Sequence, residues 1–467
     1  MAAREVNLAA SPKTTAWALI PMSNPLTPAC VHTLFEKAEF IQAHATALSL
    51  FAENPNDYEN GLLFLRCAIF IERVDSVIAV LNDCAAQLAP QNFHLLMFQA
   101  QLCSGNVKAA WQHLHLAGLA QDSVAFHECA YRIALQEHDL SAALLHLEVV
   151  ERQSELPLAH FLKKFEIFKL QGAYRQIQQQ IAFLQHRIAP DDRVTHARLR
   201  LWQAGVAHNE HQFAQSLSLS EQLIRELLAQ PIPSANKRVA GSKGWTRQRQ
   251  HQVIKDIERL TLMHQLPLFL VAGSVLALVR EGDFFLSDKD IDLAVFDADF
   301  EPATELLINS PYFDDVSPPN YFLGYKQLRH RATGFTVDVT RYQSKGQYRH
   351  AIWQHVSGEV LRETVFAKFA LRETFFPSLR CRLLIPDPVE DYLTSMYGDW
   401  RTPNSYFDSV VAACNLNCIT PFLHSLSFIK IADALLNGQH QKAKASVKHL
   451  HDAGFQSLLL TQIDDFL

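Results

Sequence analysis

Three aspartates spaced two apart, Asp288, Asp290 and Asp292, lie in the stretch Ser287-Asp288-Lys289-Asp290-Ile291-Asp292-Leu293-Ala294-Val295-Phe296. From Asp290 onward the apolar residues alternate, which predicts a strand of period two. Ile291, Leu293 and Val295 then take the core face, and Asp290 and Asp292 stand together on the other with small Ala294 beside them. Two carboxylates pointing the same way from one strand repel each other. A divalent cation shared between them and a phosphate group removes that penalty. Mg (or Mn) suits the role, because a hard cation prefers oxygen and leaves coordination positions for phosphate oxygens. The same alternation recurs in Phe335-Thr-Val337-Asp338-Val339-Thr-Arg341, where Asp338 lies on the polar side. If that strand neighbours the first, Asp338 completes a three-carboxylate site. Asp288 is either a further metal ligand or a turn former. An EF-hand is excluded: its loop needs Gly at position six and Glu at position twelve, and these positions hold Leu293 and Asp299.

Upstream, Leu268-Phe-Leu-Val-Ala272 is an apolar run ending in Gly273-Ser274. It reads as a buried strand turning into a helix from Val275 to about Arg280. Amides at a helix start, beside a glycine that admits close approach, make a seat for phosphate. Arg280 is either a clamp on phosphate charge or an ordinary ion-pair residue.

Gly-Ser, then Asp-x-Asp, then a later hydrophobic-Asp-hydrophobic strand resembles the polymerase-beta-like nucleotidyltransferase superfamily. Fifteen residues separate Ser274 from Asp290. Within that superfamily, the stretch from Gly273-Ser274 through Arg280 to Asp288-Lys-Asp290-Ile-Asp292 is similar to the LicD/fukutin family. A second block, Leu384-Ile-Pro386-Asp-Pro-Val-Glu-Asp391-Tyr392-Leu393 followed by Tyr397-Gly398-Asp399-Trp400-Arg-Thr-Pro403, resembles that family's closing motif. The resemblance covers roughly residues 255 to 405. It implies a Mg-dependent transferase that moves a phospho-alcohol, of the phosphocholine or ribitol-phosphate type, from a CDP-linked donor to a glycan or glycolipid hydroxyl. Asp290 and Asp292 would hold the metal against the donor diphosphate. Asp338 would ligate it or accept the acceptor's proton, Gly273 and Ser274 would seat the phosphates, and Arg280 would offset charge on the leaving group. Tyr397 and Trp400 read as packing anchors. Transfer of a nucleotide onto a protein or small molecule by the same residues is the second reading. A scaffold with an inactive transferase half is the third.

These residues need a frame, and 467 residues suffice for about three domains. Hydrophobic residues at 48% and charged residues at 19% give globular composition. A net charge of -6 argues against a specific nucleic-acid partner held by phosphate contacts. The opening Met1-Ala-Ala-Arg-Glu-Val does not read as a signal peptide, and the longest apolar run, Leu266 to Val279, is too short for a transmembrane segment. The expected location is cytoplasmic, and the family resemblance implies a peripheral place at the inner membrane. The eight cysteines are scattered and read as free thiols, and histidines such as His113/His115 and His208/His211 read as surface or core residues.

Residues 1–232 read as an all-α repeat domain. Gly105-Asn-Val-Lys-Ala109-Ala110 aligns with His138-Asp-Leu-Ser-Ala142-Ala143 at an offset of 33, and Gln171-Gly172-Ala173, Asn209 to Ala214 and Arg73 to Ala79 extend the series. Each unit is a helix, a turn and a second helix opening with small residues. The period is similar to tetratricopeptide (TPR) repeats, which implies a solenoid with a possible protein partner. Pro231 and Pro233 mark a boundary. The basic segment after it (Lys237, Arg238, Lys243, Arg247, Arg249, Lys255) is either a solvated linker or a flap near an anionic substrate. Residues 233–410 form the expected α+β nucleotidyltransferase-fold domain. Residues 411–467 form C-terminal helices, from Phe422 to Leu436 and Ala443 to Leu460, expected to pack on it.

Overall fold

A computed structural model describes residues 27–467 except 37–38, 71–73, 154–156, 232–246, 286–287, 318–321 and 405. The described residues begin with helices: α1 (Pro28–Glu36), α2 (Phe40–Glu53), α3 (Tyr58–Phe70), α4 (Val74–Asp83), α5 (Pro90–Cys103), α6 (Val107–Leu116), α7 (Val124–Gln136), α8 (Leu140–Gln153), α9 (Pro157–Leu170), α10 (Tyr174–Gln185), α11 (Arg193–Asn209) and α12 (Phe213–Ala229). Each packs on its neighbours in sequence. The apolar interior is a series of local clusters, such as Phe98, Leu114 and Ile133, then Phe165, Ile181 and Leu199.

The turns explain the repeat spacing. Gly105, His138, Gly172 and His211 all lie in the left-handed region, with φ of 81°, 58°, 65° and 60°. The next residue in each case donates its N–H to the carbonyl five residues back: Asn106 to Gln101, Asp139 to Ala134, Ala173 to Phe168 and Gln212 to Ala207. This closure ends a helix without orphaned carbonyls and wants a residue tolerant of positive φ. Ala110 and Ala143, on the helices that follow the first two turns, are fully buried.

The second part is built on a mixed sheet of nine strands: β1 (Phe269–Leu270), β2 (Asp290–Phe296), β3 (Phe313–Asp315), β4 (Tyr325–His330), β5 (Thr336–Lys345), β6 (Tyr348–Gln354), β7 (Val360–Ala367), β8 (Ala370–Phe376) and β9 (Cys381–Asp387). Their order is β3-β4-β5-β2-β1-β9-β8, and β6 and β7 extend the far half of β5 as an antiparallel ribbon. β2 runs parallel to β5 and β1 parallel to β9. Helices α13 (Arg247–His264), α14 (Ala272–Glu281), α15 (Phe300–Asn309) and α16 (Val389–Tyr397) accompany it. Val275, Ile291, Val337, Val339 and Leu393 share its core.

The basic segment divides at Arg247. Arg247, Arg249 and Lys255 belong to α13 and not to a linker, while Lys237, Arg238 and Lys243 lie outside the described residues. Here α13 grips the chain that leads into the acidic motif. The buried Gln250 donates to the Phe285 carbonyl, and His251 Nε2 is 2.9 Å from Asp283 Oδ1.

The last helices, α17 (Pro421–Leu436), α18 (His440–Asp452) and α19 (Leu458–Phe466), correct an expectation. They pack mainly on the helical half, although α17 also touches β7. Phe428, Ile431 and Leu435 join Ala197, Leu223, Ile224 and Leu227 of α11 and α12 in one cluster. The α17–α18 turn repeats the earlier closure, with Gly438 at φ 66° and Gln439 N–H bonded to the Ala434 carbonyl. The exposed end of a helical stack is apolar on its open side, and this hairpin covers it. The helical layer therefore resumes after the sheet, which interrupts it in sequence. Residues just past 410 stay with the sheet: Val365 N–H bonds the Asn415 carbonyl. Phe428→Ala is expected to cost about 3–5 kcal/mol, because a large ring fully enclosed between both segments leaves a cavity. A thermal midpoint followed by far-ultraviolet circular dichroism measures this, and an unchanged midpoint contradicts the docking.

The two parts also meet elsewhere. Arg329 on β4 bonds the Gln136 carbonyl at the end of α7, and Phe213 of α12 packs with Phe422 and Leu361. A Cβ on Gly105 would stand 2.4 Å from the Ala332 carbonyl oxygen, so this turn requires glycine for approach as well as for φ.

Candidate active site

Register brings the acidic residues together. The pairing of β2 with β5 sets Asp292 directly opposite Asp338, with Ile291 opposite Val337 and Leu293 opposite Val339 on the core face. Asp290 and Asp292 share the other face, as the alternation predicts, and their apolar neighbours are buried. On the far side of β5, β4 sets Gln327 opposite Asp338. Gln327 Nε2 donates to Asp338 Oδ1 at 3.3 Å, and the Tyr325 side chain also hydrogen-bonds that carboxylate. Neither Tyr325 nor Gln327 is among the residues expected from sequence. Their i, i+2 placement on one strand face was the available signal.

The electrostatics are those of crowded, buried carboxyls. Burial, followed by the charge of Asp290, pushes Asp288 up to about 7. Asp338 is likewise pushed up to about 7 by burial and by Asp290, against the hydrogen bonds from Tyr325 and Gln327. Burial raises Asp290 despite neighbouring Lys289, and Asp292 is raised well above the ordinary range by burial and then by Asp290, Asp338 and Asp288. All four residues are half-buried, neither sealed in the core nor open to solvent.

Asp292 is also clasped from behind. Helix α14 starts at Ala272, one residue before the glycine, so Gly273 and Ser274 form its first turn. Ser274 Oγ, buried, accepts the Asp292 N–H at 2.8 Å, and the Ser274 backbone N–H bonds the Asp292 carboxylate. A Cβ on Gly273 would stand 3.2 Å from Asp292 Oδ2, so the bare backbone makes room for the carboxylate itself. The side chain of Ser274 is committed to the strand, which makes it a brace. Arg280 donates to the Trp400 carbonyl at 3.3 Å, pairs with Glu281 at 2.9 Å and lies over the Phe285 ring. It is not among the charges that act on the four carboxylates.

The closing motif supplies a second layer. Tyr392, on α16, is buried, and its hydroxyl accepts the Ala272 N–H at 3.0 Å and hydrogen-bonds the Tyr342 hydroxyl at 3.1 Å. Ala272 has φ 47°, a strained value for alanine, so that bond holds the turn from which α14 departs. Tyr397 belongs to the same layer: burial first, then the charge of Asp292, raises its hydroxyl well above its usual range. Tyr392→Phe keeps the ring, which stacks on Phe366 at 4.7 Å, and deletes only the hydroxyl. If the site transfers a group from a nucleotide-linked donor, as the family resemblance implies, the expected result is a roughly tenfold rise in the KM for that donor with little change in Tm, since one hydrogen bond is worth about 1–1.5 kcal/mol. Equal kinetics in wild type and variant would show that the turn does not need it.

A divalent cation fits this donor set. All four groups offer hard oxygens, and their repulsion is opposed by one neighbouring cation, Lys289. No group of three or more His, Cys, Asp or Glu side chains among the described residues already stands close enough to surround an ion. Magnesium does not require such a cage, because it typically takes one or two carboxylates and completes its shell with water and substrate phosphate. The sequence matches no protein-family model, and no curated protein matches it. Among the described residues no helix is long and apolar enough to cross a membrane.

Proposed function

We propose that the protein is a magnesium-dependent transferase of the LicD/fukutin type, on a nucleotidyltransferase-like sheet interrupting a TPR-like helical array. One observation carries this reading: Asp292 and Asp338 face each other across parallel strands, beside Asp290 and Asp288, and burial raises all four carboxyls. The donor is a CDP-linked alcohol. The acceptor hydroxyl oxygen attacks the phosphorus that carries the alcohol, a new P–O bond forms, the bond to CMP breaks and CMP leaves. Asp338, poised near neutrality, is suited to accept the hydroxyl proton. Bound magnesium would be held by Asp290 and Asp292 and would neutralise phosphate charge. The helical array offers a surface for a protein partner.

The test presents the full chain and Mg with CDP-choline and CDP-ribitol, radiolabelled either in the alcohol or in the cytidine, with glycan acceptors. Alcohol label on product with release of CMP supports the reading. Cytidine label on product makes the protein a nucleotidyltransferase. No donor-dependent change in thermal midpoint, with or without Mg, overturns both and favours a scaffold.

A further inference from the structure

Two histidine pairs in the helical half take no part in the proposed transfer, and they repeat. His94 on α5 faces His113 on α6, with Nδ1 atoms 3.0 Å apart. His127 on α7 faces His146 on α8, with Nδ1 atoms 2.8 Å apart. The second pair is the first moved 33 residues along the chain, at both ends. In each pair the first histidine directly follows a phenylalanine, Phe93 or Phe126, that meets a ring of its pair edge-on. Two successive hairpins thus place the same two imidazoles at the same point between their helices.

We propose that each pair is a bidentate site for a borderline first-row cation, Zn(II), Cu(II) or Ni(II), giving two equivalent sites one repeat apart. Imidazole nitrogen is the ligand these ions favour, and it binds them in its neutral form. Burial favours the neutral form of His94, His113 and His146, and within each pair one imidazolium disfavours the other. Two nitrogens on a tetrahedral ion at the usual bond length are about 3.3 Å apart, so each pair opens by only a few tenths of an ångström to admit one. All four histidines are half-buried, which leaves water access for the remaining coordination positions. With two protein ligands, each site binds more weakly than a closed structural zinc site.

The test uses the full chain in excess Mg, which competes for hard oxygen ligands and not for imidazole. Zn(II) is titrated in competition with a chromophoric chelator, and Cu(II) is followed by electron paramagnetic resonance. Wild type is expected to take up two ions beyond any bound by other histidines or by the free cysteine thiols, with two-nitrogen coupling in the copper spectrum. His94→Gln with His113→Gln, and separately His127→Gln with His146→Gln, are each expected to lose one equivalent. Glutamine keeps hydrogen bonding in place of imidazole, and unchanged circular dichroism separates lost ligation from lost fold. If both double variants keep the wild-type stoichiometry, or wild type shows no two-nitrogen copper signal, the pairs are N–H···N hydrogen bonds only and the proposal fails. Its outcome is independent of the transferase reading, because the carboxylates play no part in it.

Discussion

Asp292→Asn abolishes transfer and yet makes the metal-free protein more stable: that paired outcome is expected from the site's electrostatics. Asparagine keeps the shape of aspartate, and its backbone N–H still reaches Ser274 Oγ. The charge is gone, and with it one of the groups that would hold the cation against the donor. Loss of such a preorganised charge costs on the order of 10³ in rate. Stability moves the other way. Asp292 is raised well above the ordinary range by burial and then by Asp290, Asp338 and Asp288 together, so replacing its carboxyl with an amide removes that repulsion at its centre. In chelator-treated protein the variant should melt roughly 3–10 °C higher than wild type. Asp290→Ala or Asp292→Ala should lose transfer equally, with the fold intact. Full Mg-dependent turnover in any of these variants removes the site assignment. A variant that is both inactive and less stable shows that the carboxylate is a structural partner and not a restrained anion.

The chemistry-bearing strands were legible because their pattern is local. Ile291, Leu293 and Val295, and then Phe335, Val337 and Val339, alternate with polar residues, and alternation alone decides which face each aspartate takes. That β2 and β5 are neighbours, with 292 opposite 338, depends on pairing across more than forty residues, which no local pattern carries; it entered as an expectation from motif order. The helical turns were legible for the opposite reason, since the left-handed residue recurs at the end of each unit. Other features were hidden in tertiary context. Tyr392 reaches back 120 residues to Ala272, and nothing near it in sequence announces the contact. Gly273 reads in sequence as a phosphate seat, and only the tertiary structure shows that its missing Cβ also makes room for an oxygen of Asp292. The docking of α17 on α12 was missed because an amphipathic face does not name its partner.

A second large effect follows from Asp288 and Asp338, both held near 7. In the unfolded chain these carboxyls titrate near their ordinary value, so between about pH 4 and pH 7 the folded protein retains protons that the unfolded chain has released. Folding then binds more protons than unfolding, and stability falls as pH rises through that window. Above 7 the folded groups have ionised too, and the whole penalty is present. Several histidines act in the contrary sense. His208, for example, is lowered to about 4 by burial, so its neutral form favours folding above its unfolded value and that support fades in acid. The comparison that isolates the carboxylates is therefore wild type against Asp288→Asn with Asp338→Asn, in chelator, from pH 6 to 8. Wild type should lose melting temperature relative to the variant as pH rises. Added Mg should restore it strongly at pH 8 and weakly at pH 6, where protons already occupy the oxygens the metal needs. At a hundredfold excess over its dissociation constant the ion contributes about 2.7 kcal/mol, a shift of several degrees. The double variant should show little of the pH effect and a smaller difference between its Mg responses at the two pH values. Parallel curves for the two proteins, or an equal Mg response at both pH values, would mean that these four carboxylates neither hold protons near neutrality nor exchange them for a cation.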